Sequence, residues 1–208
     1  MRNVIVAALV FTFAIPATSR AEEKPLRTLD QAAARLAALA ARPLRPYATR
    51  DFGREKNPAA RSVVVAEEKA DEVLRAVRRE LGPGLIAFIG CTNSLADPKV
   101  EGSEVVVAEG KTQFDVLRVA ASDAVNLDMD TEDLVKKLEE WDKKYGIDIF
   151  HAETDTIEFE FRKLPPNLRA FCRDLYKFCP DIVDQGTGTI KELEAEIKDT
   201  KRVFLWWD

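Results

Sequence analysis

The chain has 208 residues, 46% of them hydrophobic, and a formal net charge of −5 at pH 7. This length and composition suit a folded protein with a sizeable core and argue against a chain that is disordered throughout. The acidic balance argues against a nucleic-acid binder, which needs a basic surface.

The N-terminal residues 1–21 have the pattern of a secretory signal peptide. Arg2 supplies a positive charge, residues 4–17 are apolar, and Ser19 and Ala21 are the small residues of a cleavage site. An uncleaved anchor is the alternative. Cleavage predicts a periplasmic or secreted protein with no membrane span, because no other apolar run approaches roughly 18 residues.

Residues 22–61 are predicted to form one helix followed by a linker. Thr28 and Gln31 have the spacing of a capping box, and the alanine-rich stretch 32–41 favours a helix. The stretch 43–61 is rich in proline and arginine and has little periodicity, which favours a surface linker. Contact of its arginines with an acidic partner is the alternative.

A single α+β domain is predicted for residues 62–208. The order strand, helix, strand at 63–65, 67–81 and 85–89 indicates two parallel neighbouring strands with a right-handed crossover. The other predicted elements are strands at 104–108, 147–151, 156–162 and 203–207, and helices at 112–121, 131–145, 165–179 and 190–197.

Together these elements predict a mixed, largely antiparallel sheet of about six strands, with helices packed mainly on one face. Polar and apolar residues alternate in 156–162, which is typical of an antiparallel strand with one wet face. The stretch 203–207 is apolar without alternation, which predicts a strand in the interior of the sheet.

The second half of the chain carries two distinctive strings. Residues 178–189 read Phe-Cys-Pro-Asp-Ile-Val-Asp-Gln-Gly-Thr-Gly-Thr, and residues 206–208 read Trp-Trp-Asp. With the helix end at 141–146, they resemble the bacterial domain of unknown function 4253 family over residues 104–208. That family brings no settled activity, so the resemblance implies relatedness and no particular chemistry.

The candidate functional residues of these strings are Asp181, Asp184, Gln185 and Asp208. The three aspartates converge if the last strand runs beside the loop that follows residue 180. Such a cluster can bind a divalent cation through oxygen ligands, or supply a general acid and base. The alternative is that Asp181 and Asp184 cap turns while Asp208 pairs with Arg202. No cofactor is predicted, with a divalent cation as the alternative.

The cysteines are Cys91, Cys172 and Cys179. Cys172 and Cys179 are about 10 Å apart along one predicted helix, too far to bridge each other, and either can pair with Cys91. The pairing stays open. A dyad of Cys179 with His151, the single histidine, is disfavoured because a helix C-terminus destabilises a thiolate, so a packed thiol or a disulfide is expected.

Trp141, Trp206 and Trp207 are candidates for an interface or a ligand groove. Alternation along a strand puts Trp206 and Trp207 on opposite faces, so one of them belongs to the core. Because no complete catalytic set is present, we predict a non-catalytic binding or interaction module for an unknown protein or small-molecule partner. The alternative is an exported hydrolase or metal-dependent enzyme that uses the acidic cluster.

Overall fold

A computed structural model describes residues 24–48, 56–90 and 101–208. The predicted signal peptide and Cys91 lie outside the described residues. Within them, no helix combines the length and apolar character needed to cross a membrane. The helices are α1 (Leu29–Ala40), α2 (Glu67–Arg78), α3 (Asp115–Ala120), α4 (Thr131–Tyr145), α5 (Leu168–Phe178) and α6 (Ile190–Thr200).

The strands of the described residues form one mixed sheet in the order β1-β2-β4-β3-β5-β6-β7, and among these strand pairs only β3–β5 is parallel. The α+β prediction is confirmed, with seven strands instead of about six. The strands are β1 (Arg45–Ala48), β2 (Lys56–Val65), β3 (Leu85–Gly90), β4 (Ser103–Glu109), β5 (Ile147–Ala152), β6 (Thr156–Phe161) and β7 (Arg202–Trp206).

The prediction that the first two strands of the domain are neighbours is wrong. Strand β4 lies between β2 and β3 and runs antiparallel to both, so β2 and β3 share a direction without touching. Residues 104–108 of β4 are buried on both faces of the sheet, which is typical of a strand in the interior of a sheet covered on both sides. The parallel neighbour of β3 is β5.

The predicted linker also differs from the structure. Its described residues include β1 and the first half of β2, which pair antiparallel. Tyr47 and Ala60 are fully buried in the core. A register shift between Pro46 and Tyr47 breaks the alternation of side chains, which explains why the sequence shows no strand period there.

Each face of the sheet buries its own core. Helices α3, α4, α5 and α6 cover one face, where Trp141 and Phe159 are buried. Helices α1 and α2 cover the other face over β2, β4 and β3, where Leu36 and Leu74 are buried. Of the six α-helices in the described residues, four therefore share one face, as predicted, and the other two cover part of the second face.

Strand β7 lies at the end of the sheet, which corrects the prediction of an interior position. Val203 and Leu205 are buried, whereas Phe204 is 43% exposed and Trp206 is half-buried. The strand does alternate, but between two sets that are both largely apolar, so the sequence hides the period. Phe204 and Trp206 extend from the same face of the sheet as α1 and α2, in the part of that face that these two helices do not cover.

Candidate functional site

The family-like string forms a compact turn between α5 and α6. Residues Ile182–Thr187, which we call the signature turn, make a single π-helical turn in place of the expected irregular loop. Ile182 and Val183 are buried in the core, and the N–H of Gly188 donates to the carbonyl of Val183 at 2.8 Å. Such wide turns recur at functional sites, and here the apolar anchors fix the position of the polar residues beside them.

Asp181 connects the signature turn to the residue that follows β7. Its Oδ1 accepts a hydrogen bond from Gln185 Nε2 at 3.1 Å, and its Oδ2 accepts one from the backbone N–H of Asp208 at 3.2 Å. The chain end therefore does run beside the turn, as the sequence suggested. The contact to Asp208 is made through its backbone, and Arg202 forms its ion pair with Asp71 at 2.7 Å.

Asp184 is held by a residue that the sequence did not identify as functional. Its Oδ1 accepts a hydrogen bond from the Tyr176 hydroxyl at 2.9 Å, and this bond to a carboxylate raises the pKa of Tyr176. Over the described residues, no three His, Cys, Asp or Glu side chains are grouped so that they could hold a metal ion. The acids of the turn thus act as acceptors that fix its shape.

Cys179 closes the base of this region. Its Sγ donates to the carbonyl of Trp206 at 3.1 Å, and burial raises the pKa of its thiol. Cys172 is also buried, which raises its pKa to about 11. Both are free thiols in the structure. His151 binds two glutamates and does not serve Cys179 as a base.

Only one of the three candidate tryptophans reaches the surface. Trp141 is fully buried, and its Nε1 donates to Asp174 at 2.9 Å. Trp207 is 4% exposed and packs edge-on against Phe178, with ring centroids 5.7 Å apart. Both indoles are core residues whose N–H groups have acceptors, and Trp206 remains as the surface candidate.

Trp206 borders a groove between the signature turn, α6 and β7, with a cavity of about 170 Å³. A β-carbon built on Gly186 would lie 3.7 Å from the Trp206 ring, so a side chain at this position would point at the indole. Phe204 and Trp206 form the rim, 6.2 Å apart between ring centroids. The floor is apolar and consists of Ile182, Leu193, Ile197 and Val203.

The backbone of β7 contributes polar groups to this groove. The N–H of Trp207 donates to Asp155 and the carbonyl of Lys201 accepts from Phe161, so the odd-numbered residues face β6. The N–H and C=O of Phe204 consequently point away from β6. Among the described residues, neither of these two groups has a hydrogen-bond partner, and no strand pairs with that edge.

The same edge is closed at both ends. The N–H of Arg202 donates to Thr200 Oγ1 at 3.1 Å, and the Trp206 carbonyl accepts from Cys179. The open part of the edge is therefore short and centred on Phe204. Neither motif nor composition indicates this arrangement, because it depends on which strand ends the sheet.

His151 forms a second polar cluster near this end of the sheet. Its Nδ1 lies 2.6 Å from Glu158 and its Nε2 lies 2.9 Å from Glu153. Burial alone lowers the pKa of His151, but the bonds to Glu153 and Glu158 outweigh it and raise that pKa to about 9. Glu158 is also the cross-strand partner of Phe204. The alternation of polar and apolar residues in 156–162 places Glu158 on the solvent side of β6, and this was the signal for the cluster in the sequence.

Comparisons with known proteins give a family and no further relative. A search of the curated proteins and a search of the solved structures each found no match. The family model described as Domain of unknown function (DUF4253) matches residues 104–208, which contain the signature turn, α6 and β7. Because this match covers slightly more than half of the sequence and confirms the resemblance read from the motifs, the chain belongs to the Domain of unknown function (DUF4253) family.

Proposed function

We propose that the protein is an exported, non-catalytic binding module that uses the groove beside β7 to hold an apolar side chain of a partner protein. The observation that carries the proposal is the pair of partly exposed aromatic residues, Phe204 and Trp206, over an apolar floor. Aromatic residues beside small apolar pockets are the usual energetic centres of protein interfaces.

The size of the groove favours a protein partner over a cofactor. Its cavity of about 170 Å³ is smaller than the roughly 300 Å³ at which sites for small molecules begin. It suits one or two side chains. The rim also carries backbone donors and acceptors, which suit another polypeptide.

The acids of the signature turn support binding over catalysis. Asp181 and Asp184 each accept hydrogen bonds that hold the turn against neighbouring elements. A general acid or base needs a carboxyl group that is available to a substrate at the floor of a pocket. Neither Asp181 nor Asp184 lines the groove, and the carboxylate that does, Glu196, stands beside an aliphatic floor. The geometry therefore does not favour a hydrolase that uses the acids of the signature turn.

Export rests on the pattern of the N-terminal residues 1–21. A periplasmic or secreted location follows from cleavage after Ala21. Cell fractionation with N-terminal sequencing of the product tests this part. A cytoplasmic product that keeps Met1 would contradict it.

The binding role is tested by selecting a random 12-residue peptide library on the immobilised full chain. The matched pair is Gly186→Phe, which fills the groove beside Trp206, and Glu139→Phe, which adds the same ring on the exposed side of α4. We expect peptides selected on the wild-type chain to bind Glu139→Phe equally and to lose binding to Gly186→Phe. Equal binding to both variants would remove the groove from the proposal.

A further inference from the structure

We propose that the occupant of the groove is an extended segment of a partner protein that adds to β7 as a further strand and carries a basic side chain at the Trp206 end. This inference rests on the proposed binding role and names the class of partner. It is carried by the geometry of the β7 edge, the shape of the groove and the charges at one end of it.

The edge supplies the main-chain part of the recognition. The N–H and C=O of Phe204 and the N–H of Trp206 point outward, since the residues on either side of each face β6. An extended peptide can satisfy these groups by strand addition, in which backbone bonds give affinity and alternate side chains give specificity. Thr200 and Cys179 close the two ends, so the added strand pairs over only a few residues.

The groove supplies the side-chain part. Residues directly opposite on paired strands share a face, and their neighbours point to the other face. A partner residue opposite Phe204 therefore lies on the open face beside the exposed aromatic rings. Its two neighbours point toward the floor formed by Leu193 and Ile197. The segment is thus expected to carry apolar residues at positions that are two apart.

Charge gives the direction of the segment. Asp181 is half-buried and Asp184 and Asp208 are exposed, and in the described residues none of the three forms an ion pair with a lysine or arginine. Asp181 and Asp184 lie at the signature turn and Asp208 follows β7, so all three are at the Trp206 end of the groove. At the opposite end the groove is lined by Arg202, which is already bound to Asp71, and by the single carboxylate of Glu196. A lysine or arginine of the segment is attracted to the acidic end and can stack on the indole of Trp206.

The first part of the test keeps the protein unchanged. Peptides selected on the full chain are synthesised with a single N-methyl group at each position in turn, which removes one backbone donor and leaves the side chains intact. We expect N-methylation to weaken binding about tenfold at alternate positions of the central segment, and little between them. The selected peptides should also share a lysine or arginine at one end.

The second part changes the edge. Phe204→Pro removes the outward N–H together with the ring, and Phe204→Ala removes the ring alone. An edge strand tolerates proline where its N–H faces away from the sheet. We expect Phe204→Pro to bind the peptides about tenfold more weakly than Phe204→Ala. Thermal unfolding of both variants checks the fold, and if Phe204→Pro fails to fold, the N-methyl series decides.

Three outcomes would overturn the inference, and they are distinguishable. Peptides that lose binding to Gly186→Phe but tolerate every N-methyl group would leave the binding role standing and remove strand addition. Peptides that bind wild type and Gly186→Phe equally would remove both proposals. A concentration-dependent dimer of the free chain that Phe204→Pro abolishes would identify a second copy of this chain as the occupant.

Discussion

The sheet ends in two strands whose outer edges are built differently. Strand β1 carries the charged Arg45, the exposed Pro46 and a break in register after it. Strand β7 pairs with β6 in continuous register and has the exposed Phe204 at its centre. Charge, proline and bulges are the common devices that keep a sheet edge from pairing with other chains. The first edge has all three, and the centre of the second has none.

This difference follows the boundary of the family match. Strand β1 lies before residue 104, where the match begins, and β7 lies within it. A short, regular and apolar edge is a hazard in a protein that must remain monomeric, unless a partner covers it. The contrast therefore supports a role for β7 in binding and a structural role for β1.

The largest effect on stability should come from substituting Tyr47, the residue that packs β1 into the core. Tyr47 is 1% exposed and packs edge-on against Phe88 at 5.8 Å. We expect Tyr47→Ala to lower the free energy of unfolding by about 3–5 kcal/mol, as for other large-to-small core changes, without altering peptide binding per folded molecule. Urea denaturation and peptide titration measure the two effects separately.

Trp206→Ala is the counterpart on β7. Because its ring is only partly buried, we expect a stability loss of about 2 kcal/mol, smaller than that of Tyr47→Ala, together with loss of peptide binding. If Trp206→Ala destabilised the protein as much as Tyr47→Ala, the two edges would be equally structural and the comparison would fail.

The next effect concerns pH and the His151 cluster beside β7. The folded protein holds the His151 proton more tightly than the unfolded chain, because the pKa rises from 6.5 to about 9. The contribution of the protonated His151 to the free energy of unfolding is therefore complete below pH 6.5 and is lost as the pH rises toward 9. Its upper limit is about 3 kcal/mol.

Urea denaturation between pH 6 and pH 9 measures this loss. In the double variant Glu153→Gln/Glu158→Gln, the slope over that interval should shrink, since the carboxylates that bind His151 are gone. Glu139→Gln, an exposed change on α4, should keep the wild-type slope. A wild-type stability that stays flat from pH 6.5 to 9 would contradict the assignment.

The elements with strong local signals were predictable from the sequence. Asp130 caps α4 through a capping box and Gly146 ends it, as its sequence indicated. Thr189 caps α6 in the same predictable way. These features depend on residues within one turn of each other. The order of the strands depends on pairings distant in sequence, so the positions of β4 and β7 were beyond local patterns.

The candidate site was predictable in its location but not in its roles. The string at 178–189 marked the signature turn, and Asp181 does approach Asp208. The bond from Tyr176 to Asp184 spans the end of α5 and has no periodic signal. Trp141 and Trp206 look equivalent in sequence, and only the packing shows that one is in the core and the other at the surface.

A smaller effect is expected at the contact that connects the signature turn to the end of β7. Asp181→Ala removes the acceptor of two hydrogen bonds, from Gln185 and from the Asp208 backbone. We expect a stability loss of about 1 kcal/mol, because both bonds are partly solvated. Asp181→Asn keeps an acceptor and should lose less. Equal losses in urea denaturation would show that the charge, and not the bonding, matters.

The smallest effect on stability, and the sharpest test of the comparison, comes from giving β7 one of the devices of β1. Phe204→Lys places a charge at the centre of the open edge, where the ring is 43% exposed, so the free energy of unfolding should change by at most about 0.5 kcal/mol. Peptide binding should nevertheless fall at least as far as in Phe204→Ala, because a charge opposes strand addition and repels a basic segment. Leu44→Lys, at an apolar residue of similar exposure (42%) beside β1, is the matched control and should retain binding, since it adds the same charge at the other end of the sheet. If Phe204→Lys bound the peptides as tightly as the wild type, the bare edge of β7 would have no part in recognition.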